Sequence, residues 1–232
     1  MRTIALSCNK GGVGKTSISK HIATAAAASG LNVMLLDMDT QQNATNWGRR
    51  RSMRGGALGV PVVRFVTEND LPDTLARASA AGCDLVVIDT PPGRSAEAPA
   101  AVEASDIVLI PFWLEKDAFD GVQRTAALAS RMGKPAYGVL NFATPNSQIH
   151  IEAARESLER LGVPMSPAVL HRYEVYRMAN LPGLTVQEME PGRRAAQEIA
   201  GLWEWLSTSA IVHNGAGHDD DEQEERGVPC GA

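Results

Sequence analysis

The chain has 232 residues, of which 44% are hydrophobic and 21% charged, the make-up of an ordinary globular protein with a buried core. Three widely spaced cysteines (Cys8, Cys83, Cys230) exclude a disulfide framework and a CxxC metal site. No apolar run approaches the ~18 residues of a membrane span, and Met1 leads into a polar glycine loop instead of a signal peptide. The net charge of −5 is unevenly spread: six acids crowd positions 219–225, and without them and Arg226 the body is neutral. Local basic clusters, Arg49-Arg50-Arg51 with Arg54 and Arg193-Arg194, keep an anionic partner in play. These bounds predict a reduced, cytoplasmic protein with no membrane partner.

In chain order, Thr3–Cys8 reads as a short apolar strand. A glycine loop and a helix over Lys15–Ser29 follow, with Gly30 ending the helix. Asn32–Asp37 is a second strand and Val62–Val66 a weaker third. Asp70–Ala81 is a helix closed by Gly82. Asp84–Asp89 and Asp106–Pro111 are strands apolar along their whole length, as in a parallel sheet covered on both faces. A helix over Phe119–Met132, a strand over Ala136–Asn141 and a helix over Gln148–Leu161 form a further cycle. Pro164 and Pro167 mark a turn before a short strand near Ala168–Leu170. The final helix, Arg193–Leu206, puts Ala196, Ile199, Leu202, Trp203 and Leu206 on one face. The chain from 213 to 232 is too poor in apolar surface to offset its ordering entropy and is predicted to be disordered. The reading is a single doubly wound α/β domain over 1–212 with a mostly parallel sheet.

The strongest chemical signal is Lys10-Gly11-Gly12-Val13-Gly14-Lys15-Thr16, between the first strand and the first helix. Glycines let consecutive backbone N–H groups turn inward around a phosphate, and the helix N-terminus adds partial positive charge. Lys15 can reach β- and γ-phosphate oxygens, and the Thr16 hydroxyl can ligate Mg²⁺, with Ser17 beside it. This is a P-loop NTPase pattern with one departure: Asn9 stands where the strict motif has glycine, and a second lysine, Lys10, stands at the loop entrance. Asp37 and Asp39 follow the second strand at the carboxyl edge, where ligands of open α/β sheets bind. Asp89 ends the strand LVVID before Thr90-Pro91-Pro92-Gly93, a position suited to holding Mg²⁺ through water. Gly93 is placed to sense the γ-phosphate.

With these motifs in order, KGGVGKT, DMDTQQNAT, VVIDTPPG and VLIPFWLEKDAFDG, the chain resembles the deviant Walker ATPases of the ParA/MinD superfamily, from Thr3 to about Leu206. It is most similar to the small ParA partition proteins. The resemblance implies ATP and Mg²⁺ as ligands, with the loop Gly11, Gly12, Val13, Gly14, Lys15, Thr16 and Ser17 around the phosphates. It implies that Lys10 reaches the partner's phosphates across a nucleotide-sandwich homodimer and that Asp39 positions the attacking water. Thr16, Asp37 and Asp89 then lie at the metal, and Asn141 contacts adenine. Thr40 departs from the usual proline in that turn. Nonspecific DNA binding on the nucleoid falls to basic residues near the C-terminal helices: Arg194, with Arg193, Arg172 and Arg177, and Arg49–Arg54 as a second cluster. Trp47 is expected near the domain surface.

The function implied is an ATP-driven dimerising switch for plasmid or chromosome partition, released by a ParB-like adaptor. Three other readings carry the same motifs: a MinD-like or cellulose-associated regulator, a conjugation ATPase, and a small-molecule ligase of the same fold. The acidic end disfavours a membrane-inserting amphipathic helix, and Lys10 with DMDTQQNAT disfavours the ligase.

Overall fold

The computed structural model describes residues 1–54, 60–93, 95–144 and 148–210. Six strands form one sheet: β1 (Arg2–Leu6), β2 (Val33–Asp37), β3 (Val62–Phe65), β4 (Leu85–Asp89), β5 (Ile107–Phe112) and β6 (Ala136–Leu140). Their order is β3-β2-β4-β1-β5-β6, and every pairing is parallel. The nine α-helices of the described chain are α1 (Lys15–Ala28), α2 (Asn43–Ser52), α3 (Leu71–Ala80), α4 (Glu97–Glu103), α5 (Lys116–Arg131), α6 (Gln148–Arg160), α7 (Val175–Asn180), α8 (Val186–Met189) and α9 (Arg194–Trp205). One π-helical turn, Leu206–Ala210, follows α9.

Alternate residues of each central strand feed opposite layers, which is why the strands read as unbroken apolar runs. Ile4, Leu6, Leu35 and Val87 pack under α1 and α9, with Ile18, Ile22, Ile199 and Leu202. Ala5, Leu36, Val86 and Ile88 face the other way, against Leu71 and Ala78 of α3 and Ala101 of α4. Val108, Ile110 and Phe112 of β5 continue that second layer against α5 and α6. The doubly wound α/β expectation holds, with the sheet wholly parallel.

Two local expectations differ, and several short helices lie outside the elements expected. The segment around Ala168–Leu170 is not a strand. It runs beside β6 through single bridges, Gly138 to Met165 and Ala143 to His171, with Ser166 N donating to Gly138 O at 2.8 Å and Leu170 N to Leu140 O at 2.9 Å. Pro167, lacking an N–H, interrupts the ladder between them. Helix α2, which has no apolar periodicity, falls where no element is expected from the sequence, as do α4, α7 and α8. Trp47, on α2, is completely buried and not near the surface. Its Nε1 donates to Leu184 O at 3.2 Å, and Lys20 and Arg51 flank its ring. The acidic segment and the expected disorder of 213–232 lie outside the described residues. Among those described, no helix is long and apolar enough to cross a membrane.

Candidate nucleotide-binding site

The carboxyl ends of β1, β2 and β4 lie side by side because parallel pairing sets Leu6 opposite Asp89 and Asp37 opposite Asp89. The loops leaving these strands therefore converge. Gly11, Gly12, Gly14, Lys15, Thr16 and Ser17 share one cavity of about 400 Å³ with Asp39, Gln41, Asn43, Thr90 and Pro92. Gly14 is the hinge of the phosphate loop: its φ is 95°, and a Cβ there would lie 2.1 Å from Asn141 Nδ2. Gly121 of α5 has a comparable duty, since a Cβ there would press within 3.3 Å of Lys10 Cβ and 3.1 Å of Cys8 Sγ.

Lys15 is buried, and its Nζ donates to Cys8 O at 3.0 Å and Lys10 O at 3.3 Å, carbonyls of the loop itself. Burial lowers its pKa, with Asp89 and Asp39 among the groups that oppose the shift. An ammonium held by carbonyls beside the cavity is a cation ready to exchange these contacts for phosphate oxygens. Asp39 lines the cavity, and its Oδ1 accepts from Gln41 N at 2.9 Å in a tight turn that fixes the side chain's base. Lys10 is half-buried at the loop entrance.

The two strand-end aspartates are both completely buried but differ in partners. Asp37 Oδ1 accepts from Asp39 N at 3.1 Å, and Oδ2 accepts from Thr45 N at 2.8 Å and Thr45 Oγ1 at 3.0 Å. Asp37 thus satisfies a first-turn N–H of α2, the bond that makes a helix from the weak formers of NATNWG. Burial raises its pKa against these hydrogen bonds. Asp89 Oδ1 accepts from Ser19 Oγ at 3.2 Å, whereas Oδ2 has no partner at all. Burial pushes Asp89 up to about 7, with a Thr16 hydrogen bond pulling the other way and Asp37 adding to the rise. A closed-off carboxylate oxygen without a donor, linked to the cavity through Thr16, fits a water held on Mg²⁺. Among the described residues no cluster of three or more His, Cys, Asp or Glu forms a metal cage, so a cation would depend on Thr16, Asp89 through water, and ligand phosphates.

Asn141 Nδ2 donates to Val13 O at 2.9 Å, while the Val13 side chain is fully buried in the core. In this state Asn141 braces the phosphate loop from behind. Gln41, Asn43, Thr90, Pro92 and Gly121 join the site without having been singled out from sequence. For the first two the signal was their place in the DMDTQQN segment, and for Gly121 it was the terminal glycine of DAFDG. Gly93 N donates to Asn9 O at 2.9 Å, tying the loop after Asp89 to the phosphate loop.

The expected DNA contacts do not form one cluster by direct bonding. Arg172, Arg177, Arg193 and Arg194 are all exposed, but Arg177 is paired with Glu174, and Arg172 lines a second cavity with Gly12, Trp113 and Phe142. Glu198 of α9 ties the neighbourhood together, accepting from His171 N and Tyr173 OH, both at 2.9 Å. The Arg49–Arg54 cluster breaks up. Arg51 is buried and chelates the carboxylate of Glu188, with further bonds to Val60 O and Gly183 O, while Arg50 reaches Asn180 O.

A phosphate loop between the first strand and first helix of a parallel doubly wound sheet, with acidic strand ends beside it, defines a P-loop nucleotide-binding protein. Residues 4–181 match the CobQ/CobB/MinD/ParA nucleotide binding domain, and the chain belongs to this family. It is 31% identical over 215 residues to maintenance of carboxysome distribution protein A of Gloeobacter kilaueensis, covering 87% of this chain and 95% of that protein. To the chromosome-partitioning ATPase Soj of Thermus thermophilus it is 36% identical over 146 residues, 53% of this chain and 59% of Soj. The fold superposes on the MinD cell division protein of Aquifex aeolicus with a TM-score of 0.73 at 18% identity, covering 89% and 97% of the two chains.

Proposed function

We propose that the protein is an Mg²⁺-dependent ATPase that dimerises on ATP, binds DNA without sequence preference and is released when a ParB-like adaptor stimulates hydrolysis. The observation that carries this reading is the single cavity uniting the phosphate loop with Asp39, next to the second lysine, Lys10. The backbone N–H groups of Gly12–Thr16 and Lys15 neutralise phosphate charge, Asp39 orients the attacking water, and Thr16 and Asp89 hold the cation. Mg²⁺, when bound, supplies charge neutralisation at the β- and γ-oxygens. Lys10 completes the site of a second copy, which makes hydrolysis conditional on pairing.

A plasmid or chromosome is the cargo the sequence motifs favour. A protein organelle carried over the nucleoid is the second reading, favoured by a specific observation: two proteins named for carboxysome distribution match 87% and 85% of this chain, against 53% for Soj. The chemistry at the nucleotide is the same in both. Sedimentation with ATP and with ADP tests the switch. ATP alone should produce a dimer, and Lys10→Ala should keep nucleotide affinity within about threefold, roughly 0.7 kcal/mol, while removing the dimer. An unimpaired ATP dimer in that variant would overturn the assignment of Lys10.

A further inference from the structure

Between α4 and α5 lies a cavity of about 650 Å³, distinct from the one that gathers the phosphate loop. Arg124 and Arg131 of α5 form one side, Ala98 and Pro99 of α4 the other, and Ser7 and Asn9, past the end of β1, the floor. No described lining residue is acidic. The loop leaving β4 separates the two cavities. Thr90 and Pro92 line the nucleotide site, Gly93 lines this one, and Gly93 N donates to Asn9 O at 2.9 Å.

Ser7 continues the face of β1 on which Ala5 packs with Ala101 of α4, so its side chain points into the layer that holds the cavity. It is 2% exposed, and its N–H is spent on Leu109 O at 3.0 Å, but among the described residues nothing bonds to its hydroxyl. Half-buried Asn9 likewise bonds through its carbonyl, while its side-chain amide has no partner among the described residues. Ser95 Oγ, nearby, is unpaired and sealed off from water; the Ser7 hydroxyl is unpaired and opens onto the cavity. Buried polar groups without partners are few in folded proteins, and each calls for a cause. The arginines above them are equally unspent. Both are exposed and form no ion pair among the described residues, although Asp120 stands only one turn before Arg124. Thr125 by contrast is satisfied, its Oγ1 donating to Gly121 O at 3.0 Å.

We propose that this cavity binds a small organic molecule carrying two phosphate groups on a neutral, polar body. The arginines set the charge. They stand seven residues apart on one face of α5, about 10.5 Å along its axis, so each guanidinium fork can take its own phosphate. No carboxylate in the lining competes for them. The floor sets the body: the Ser7 hydroxyl and the Asn9 amide each donate and accept, which suits the hydroxyl groups of a sugar. The volume falls within the roughly 300–1,000 Å³ usual for small-molecule sites, and a bare phosphate would leave most of it empty. An occupant would rest against Gly93, in the loop between Asp89 and α4 that is expected to sense the γ-phosphate. A phosphorylated metabolite is thus placed to bias the nucleotide site from behind. Its binding does not depend on the ATPase reading.

Fructose 1,6-bisphosphate is a suitable probe, with two phosphates on a hydroxyl-rich body and no base for an ATP site. Calorimetric titration of the full chain at moderate salt, without nucleotide and then with Mg·ADP at saturation, should show one bisphosphate per chain that ADP does not displace. Arg124→Gln and, independently, Arg131→Gln should each weaken binding at least about tenfold, the worth of a charge-assisted hydrogen bond. Arg77→Gln, at an exposed position of α3, should leave it unchanged. Ser7→Ala should weaken it roughly three- to tenfold, the worth of a neutral hydrogen bond. Melting curves and ADP titrations of the same variants establish that fold and phosphate loop are intact. Saturable binding lost in both arginine variants, with ADP affinity unchanged, supports the site even if ATP is never hydrolysed. Absent binding, binding that survives both arginine changes, or binding displaced by Mg·ADP overturns it. Inorganic phosphate binding as tightly as the bisphosphate overturns the organic body, and full affinity in Ser7→Ala overturns the floor contact.

Discussion

The carboxyl edge of the sheet and the C-terminal helices are both marked by charged residues, but only the edge gathers them. At the edge, residues from the loops after β1, β2 and β4 share one cavity because parallel hydrogen bonding fixes their strand ends side by side. Along residues 172–194 the arginines lie on exposed positions of short helices and turns, where nothing forces convergence. Chemistry at strand ends is therefore built by the fold, whereas chemistry on the helix surface has to be assembled by a second copy or by the ligand.

The largest effect should follow from breaking the edge at its tightest point. Gly14→Ala places a Cβ where Asn141 Nδ2 stands and strains a left-handed residue by about 1–2 kcal/mol. Nucleotide affinity should fall about 100-fold or more, equivalent to about 2.7 kcal/mol or more. The double variant Gly14→Ala/Asn141→Ala relieves the collision and should recover part of the loss. Calorimetric titration with ATP decides it, and wild-type affinity in Gly14→Ala would show that the loop can move without cost.

Asp39→Ala sharpens the comparison from within the cavity. Turnover should drop about 100-fold, the usual scale for losing a group that acts on the attacking water, while ATP affinity stays within about threefold. An equal loss of both would make Asp39 a structural residue of its turn.

These two changes act where the sequence was most legible. All six strands, the phosphate loop and the glycine stops could be read because a short-range pattern dictates each one. Helix α2 could not, since its first turn is capped by Asp37 from another element and its own residues are weak helix formers. Arg51 read as surface charge because its partner Glu188 lies far along the chain. The aspartates illustrate the same limit: spacing places Asp37 and Asp89 at one edge, but only the structure shows the first saturated by hydrogen bonds and the second with an orphan oxygen.

A pH dependence is expected at the seam between the two regions, where two buried groups act with opposite sign. His21 of α1 is buried; its Nδ1–H donates to Ser17 O at 2.6 Å, and its Nε2 accepts from Val186 N at 3.2 Å. Burial lowers its pKa from 6.5 to about 4. The unfolded chain therefore binds the proton first, and the stability His21 contributes is full above pH 6.5 and lost as pH falls toward 4, about 3 kcal/mol in all. Asp89 has the opposite sign: its carboxyl, pushed to about 7 from 3.8, takes up a proton more readily in the folded state. Acidification from pH 7 toward 4 then favours the fold at that site. The two should largely cancel in the nucleotide-free protein. His21→Gln keeps an acceptor near Val186 and leaves Asp89 alone, so denaturant midpoints should rise between pH 7 and pH 5. A midpoint that stays flat across that range, as in the wild type, would remove His21 from the account.

The smallest effect is expected at the helix surface and tests whether its arginines act together. Arg193 and Arg194 are exposed at the start of α9 and carry no ion pair among the described residues, whereas Arg177 is already partnered by Glu174. A neutral body must hold DNA through such a patch, and an ATP dimer doubles it, so affinity should rise steeply with ATP through effective concentration. Arg193→Ala/Arg194→Ala should cost roughly tenfold in DNA affinity at moderate salt and lower the salt slope by about 0.9 for each phosphate contact removed. Arg177→Ala should change affinity less than about threefold, because its charge is already paired with Glu174. Filter binding of random-sequence duplex across a salt series measures all three. If the double variant binds as the wild type does, the DNA face lies elsewhere on the dimer. If the ATP-loaded protein binds no duplex even at low salt, the C-terminal helices serve a protein partner, and only the nucleotide edge of the proposed function survives.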